Sequence, residues 1–276
     1  MPTESPEHLA HRKVLLQLER TIDYLPEHIL DKAKLKGLNI DFQRMTLDRE
    51  DSDHKPSFFA PYSSLPKPDD SIVTQVRSSL EREDTCFTRP TDRARQVAGP
   101  WSYYIPYEVN CNPGEILWSS KDVGDYTPYK DLYQHEQPEF GTFRMTDVPG
   151  KGFPHTKAYM YSNLETTDEE ILRGELLTIL RLMLGQLRKV RLLQHMKAPV
   201  ILYFLASTLP HSRLPGTLQV FLVSFMGKRA RAFESYFDGQ SLVLRTTKLY
   251  NFPEDTSIGF KDLAEWYLSS PTGDTF

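Results

Sequence analysis

The chain has 276 residues, of which 39% are hydrophobic and 25% charged, and its formal charge is −4. That balance describes a folding globular chain and excludes collagenous, disordered and strongly basic classes. Two cysteines, Cys86 and Cys111, are too few for a disulfide scaffold and point to a reducing compartment, cytoplasmic or nuclear.

From the N-terminus, Pro6 to Leu25 places Leu15, Leu18, Ile22 and Leu25 on one helical face. No apolar run of signal-peptide type interrupts Met1 to Asp23. A second short helix is expected from Glu27 to Lys36, stopped by Gly37. Residues 1–47 thus form a helical extension. Residues 48–70 combine Asp48, Glu50, Asp51 and Asp53 with Pro56, Pro61, Pro66 and Pro68, and read as an acidic, proline-rich linker or arm. Residues 71–276 are left for a core domain. Asp70 is placed to cap a helix bearing Val73, Val76 and Leu80. A strand is expected at Tyr104 to Val109 and another at Lys157 to Leu164.

The strongest pattern follows. Thr167 and Glu170 have capping-box spacing. Behind them Leu172, Leu176, Ile179, Leu180, Met183, Leu187 and Val190 recur every three or four residues, which predicts a helix from Thr167 to His195. Val200 to Leu205 is a candidate strand. The longest apolar stretch, Pro199 to Ala206, is far short of the roughly 20 residues that span a bilayer. Leu218 to Met226 is apolar on both faces, as in a central strand. Arg229 to Phe237 and Ser241 to Thr247 flank Asp238-Gly239, a hairpin signal. Phe260, Leu263, Ala264 and Tyr267 mark a final helix. The fold class expected is α/β or α+β: a mixed sheet, a long packed helix and C-terminal antiparallel strands.

Between Arg173 and Lys248 there are 12 Lys and Arg but only 3 acids, a charge of +9 that leaves −13 for the rest. Such asymmetry suits an anion-binding face, with Arg229, Arg231, Arg245 and Lys248 as its candidates. The partner would be nucleic acid or an acidic protein surface, or simply the chain's own acidic half. Arg229, Arg231 and Arg245 share one sheet face if the hairpin register allows it.

Several chemistries lack their residues. No Walker loop, Gly-x-Gly-x-x-Gly or Gly-x-Ser-x-Gly occurs, and His135-Glu136 lacks the second histidine of a zincin. Asp122, Asp125, Asp131, Glu136 and Glu139 carry the oxygens that a divalent cation prefers, but in a loop setting that suits solvated acids.

Leu172-Arg173-Gly174-Glu175-Leu176-Leu177-Thr178, Ser224-Phe225-Met226-Gly227, Ala230-Arg231, Asp238-Gly239 and Leu249-Tyr250-Asn251-Phe252 together resemble a known layout. It is the region preceding the kinase-like domain in fungal-type protein kinases and related fungal proteins, similar in turn to PD-(D/E)XK nuclease-like folds. The resemblance spans residues 168–252. It implies a metal-binding acid followed by Glu/Asp-x-Lys on the next strand, where carboxylates hold Mg²⁺ and the lysine orients water. Glu108 and Glu165 fall at strand positions, yet Glu165 precedes Thr166-Thr167. Asp53-His54-Lys55 in the proline-rich arm is the only Asp-x-Lys, and Glu-x-Lys is absent. Kinase signatures are absent too. The resemblance therefore implies a degenerate, noncatalytic relative.

Three functions are carried forward. The first is an intracellular noncatalytic binding or assembly protein that uses the basic segment and no cofactor. The second is a divergent Mg²⁺-dependent nuclease acting through Glu108 and Glu165. The third is an enzyme or accessory factor of fungal metabolism with a pocket lined by Tyr103, Tyr104, Trp118 and Tyr126.

Overall fold

The computed structural model describes residues 4–62, 65–82, 89–111, 118–123, 131–135, 138–142, 144–148, 153–193 and 218–272. Its centre is a ten-stranded mixed sheet. In chain order the strands are β1 (Ile40–Arg44), β2 (Ser119–Asp122), β3 (Tyr133–Gln134), β4 (Phe140–Gly141), β5 (Arg144–Asp147), β6 (His155–Ser162), β7 (Gln219–Met226), β8 (Arg229–Phe237), β9 (Leu242–Thr246) and β10 (Tyr250–Asn251). The main path runs β1-β9-β8-β7-β6-β4-β3, with β5 also on β6, β2 on β5 and β10 on β8. β6 and β7 are parallel, as are β1 and β9, while β7-β8-β9 is an antiparallel meander. The expected α/β or α+β class is thereby borne out, and β1, β6, β7 and β9 all point their C-terminal ends the same way.

The meander forms where its sequence predicts it. Asp238 accepts hydrogen bonds from the backbone N–H groups of Gln240 and Ser241, and Gly239 supplies a φ of 96°. β7 is buried along its whole length because helices cover both faces. On one face lie α1 (Pro6–Asp23) and α5 (Arg173–Leu187), packed on Ala158, Met160, Val220, Leu222, Phe233 and Leu244. On the other lie α3 (Asp70–Glu81), α4 (Pro90–Cys111) and α6 (Phe252–Tyr267), packed on Tyr161, Phe221, Val223, Phe225, Ala232 and Val243. Alternate residues of each strand serve opposite cores, as the period of two requires. The short α2 (Lys32–Gly37), capped by Asp31, leads into β1 through Asn39 at a φ of 57°.

Four expectations need correction. Tyr104 to Val109 is helical, the C-terminal part of α4. Pro100 and Pro106 suggest breaks, but Ala94, Val97, Ala98, Trp101, Tyr104 and Ile105 bury one face, and that packing overrides the prolines. The long helix begins at Arg173, not Thr167. Thr167 and Glu170 bond each other's side chains in a preceding turn, and the carboxylate that meets the helix start is Glu175, accepting from the Leu172 N–H at 2.9 Å. The α3 cap is Asp69, whose carboxylate accepts from the Ser71 N–H. Finally, Arg229, Arg231 and Arg245 do not share one face: Arg231 points toward α5, whereas Arg245 sits opposite Glu234 on the other side.

Residues 1–47 contribute α1 to one core and β1 to the sheet. Within 48–70, Phe58, Phe59 and Leu65 are buried, and Phe59–Ala60 pairs with Ser270–Pro271. The candidate strand at Val200 to Leu205 lies outside the described residues.

Candidate functional site

The basic segment is largely occupied with structure. Arg231 is completely buried and pairs with Glu175 at 2.5 Å, while also donating to the carbonyl of Glu170. Glu175 closes α5 in the same stroke, so one ion pair ties β8 to a helix start. On the other face Arg245 pairs with Glu234 at 2.5 Å and donates to the carbonyls of His54 and Lys55. Glu234 accepts in turn from the backbone N–H groups of Ser57 and Phe58, so this pair clamps the proline-rich arm. Burial pushes the Glu234 carboxyl upward, against the pull of Arg245 and these two donors. Further along, Arg181 binds Glu19 and Asp23, and Lys189 and Arg191 meet the buried Asp147. These acids lie N-terminal to the segment, so the two halves of the chain partly neutralise each other.

Arg229 reaches Glu165 at 3.0 Å at the β7–β8 turn. A side chain on Gly227 there would run into the Glu165 carboxylate, and its φ is 55°. Glu108 falls within α4. Thus Glu165 has a cationic partner and Glu108 stands on a helix rather than a strand. Among the described residues no group of three or more His, Cys, Asp or Glu is placed to hold a metal. Glu139 pairs with Arg95 at 2.7 Å, while Asp125 and Glu136 lie outside the described residues.

The four aromatic candidates do not converge. Tyr103 is exposed, whereas its neighbour Tyr104 is buried with its hydroxyl donating to the Pro66 carbonyl. Trp118 donates to the Ser269 carbonyl at 2.7 Å, and Tyr126 lies outside the described residues.

Trp118 instead covers a group that sequence patterns missed. Lys157 is fully buried on β6, 3.7 Å over the Trp118 ring, and donates to the Tyr267 and Ser269 carbonyls where α6 ends. A cation at a helix C-terminus is favourable, but burial still pushes this amine well below its usual range. His155, two residues earlier on the same face, is held neutral: burial, then the Lys157 charge, bring its pKa to about 3. Between them Thr156 pairs with Asp147 on β5. The register puts Asp147 on the α5 face and Lys157 on the α6 face, so the two do not meet. A lone charge inside an apolar strand is the signal by which Lys157 stands out.

Among the described residues, an open site lies at the C-terminal ends of parallel β1 and β9. A cavity of about 410 Å³ is walled by Thr46 and Leu47 after β1, by Thr247, Lys248 and Leu249 after β9, and by Asp255 and Ile258 of α6. In open α/β sheets ligands bind beyond the carboxyl ends of the strands, and this volume lies in the range of small-molecule sites. The walls are fixed. Thr247 exchanges hydrogen bonds with Ala232 through its N–H and hydroxyl, and the Leu249 N–H donates to Asp168 at 2.7 Å. The Leu47 carbonyl accepts from Trp266. Asp255 departs from helical geometry, at a φ of −99° and ψ of 15°, with its carboxylate accepting from the Asn251 N–H. Beneath, the Tyr250 hydroxyl donates to Asp262 at 3.2 Å, and burial raises the pKa of both groups.

Lys248 is the fourth anion-binding candidate and differs from the other three. It is exposed, borders this cavity, and among the described residues its ammonium has no carboxylate partner. No helix among the described residues is long and apolar enough to cross a membrane. Compared with family models, curated proteins and solved structures, the chain matches none.

Proposed function

We propose that the chain is a noncatalytic binding protein whose ligand site is the cavity at the C-terminal ends of β1 and β9. The observation that carries this reading is the coincidence there of a preformed hollow with Lys248, a cation with no carboxylate partner among the described residues. Arg231 and Arg245 are committed to buried ion pairs, and exposing either to an external anion would strand a carboxylate in the core. A broad phosphate-binding face is thus a poorer use of this segment than a small, defined pocket.

The test is an NMR titration of the isotope-labelled full chain with small charged and apolar fragments. Shifts are expected to concentrate at Leu47, Thr247, Leu249 and Tyr250, and to vanish in Ile258→Trp. Ile258 is 63% exposed, so the new ring narrows the mouth without disturbing the core. Fragments that bind elsewhere, or that ignore Ile258→Trp, would overturn the assignment.

A further inference from the structure

The cavity carries two opposite charges that do not satisfy each other. Lys248 and Asp255 both line it, yet their charged atoms stand more than 4.0 Å apart and form no ion pair. Asp255 accepts from the Asn251 N–H and meets no cationic side chain among the described residues. A further wall is apolar: Met45, Leu47, Leu249 and Ile258. The Thr247 hydroxyl is already engaged, accepting from the Ala232 N–H and donating to the Lys248 carbonyl, while the Thr46 hydroxyl accepts from the Asp48 N–H. The charged chemistry left for a ligand is one cation and one carboxylate, beside an apolar surface and the Thr46 hydroxyl.

We infer that the ligand is a zwitterion of the amino-acid class with an apolar side chain. This rests on the cavity being the binding site. The ligand carboxylate meets the Lys248 ammonium, the ligand ammonium meets Asp255, and the side chain lies along Leu47, Leu249 and Ile258. A singly charged ligand would satisfy one protein charge and desolvate the other without a partner, which costs affinity. A zwitterion satisfies both.

Calorimetry on the full chain separates the possibilities with three probes: L-leucine, L-leucinamide, which lacks the carboxylate, and N-acetyl-L-leucine, which lacks the ammonium. Leucine should bind wild type about tenfold tighter than either blocked form, since a hydrogen bond to a charged group is worth that much. In Lys248→Met, leucine should fall to the level of leucinamide, and leucinamide itself should bind unchanged. In Asp255→Asn, which keeps an acceptor for Asn251, leucine should fall to the level of N-acetyl-leucine. N-acetyl-leucine binding as tightly as leucine, with Asp255→Asn silent, would show an anion site and overturn the zwitterion. Leucine failing to bind while other fragments still shift cavity residues would overturn the zwitterion and leave the cavity standing. No probe or fragment entering the cavity would remove both.

Discussion

The charges buried in the sheet and the charges at its C-terminal rim come from the same stretch of chain, and they do opposite things. Arg231 and Lys248 are only one meander apart. The first is sealed against α5 with Glu175 as its partner; the second stands on a cavity with no carboxylate partner among the described residues. Side-chain type does not separate them, since Lys157 is a lysine too and is the most buried cation on the α6 face. What separates them is whether the fold supplies a carboxylate or a carbonyl within reach before water is excluded. A buried charge must be met internally or the fold fails, whereas a rim charge can wait for a ligand.

The sharpest way to break this contrast is to remove one internal partner. Glu175→Leu should lower unfolding stability by about 3–5 kcal/mol in urea denaturation, because Arg231 is left buried and uncompensated. Replacing both, Glu175→Leu with Arg231→Met, should recover much of that loss. A single variant as stable as wild type would mean that this pair does not hold the fold.

Acid is a gentler probe of the same interior. His155 is a base whose folded pKa, about 3, lies below its unfolded value of 6.5. Between these values the unfolded chain binds the extra proton, so stability is full above pH 6.5 and declines as pH falls toward 3. From pH 6.5 to 4 this amounts to about 3 kcal/mol. In His155→Gln that decline should flatten, as read from urea midpoints across the range; an unchanged slope would show that the imidazole accepts a proton in the folded state. Asp147 acts lower on the scale. Burial raises its carboxyl, but Lys189 and Lys121 outweigh that and hold it below the usual value, so its contribution is lost only as pH falls below about 4.

At the rim, stability should scarcely respond. Lys248→Met and Asp255→Asn are expected to stay within about 0.5 kcal/mol of wild type, as exposed or half-exposed substitutions do, while ligand affinity changes. A destabilisation comparable to that of Glu175→Leu would place these residues with the structural charges and erase the contrast.

Local patterns were legible where the physics is local. The β8–β9 hairpin follows from Asp238-Gly239, because turn geometry needs only the residues in the turn. β7 was readable as a central strand because burial on both faces requires apolar residues at every step. α4 was misread because its prolines are a local signal, whereas its stability comes from Trp101, Tyr104 and Ile105 packing on a sheet more than fifty residues away in sequence. The rim was illegible for a related reason. Thr46, Lys248 and Asp255 share a cavity only because β1 pairs parallel to β9 and the start of α6 is brought beside their ends, and neither event leaves a mark near those residues.

The sequence by itself determined an α/β or α+β fold with a mixed sheet, a long helix against a central strand, and a segment carrying +9. Charge and periodicity are sums over neighbours along the chain, so composition suffices to state them. Only the tertiary structure decided what those charges are for. Glu175, Glu234 and Asp147 reach Arg231, Arg245 and Lys189 across strands and helices, and whether a cation is satisfied depends on distances in space.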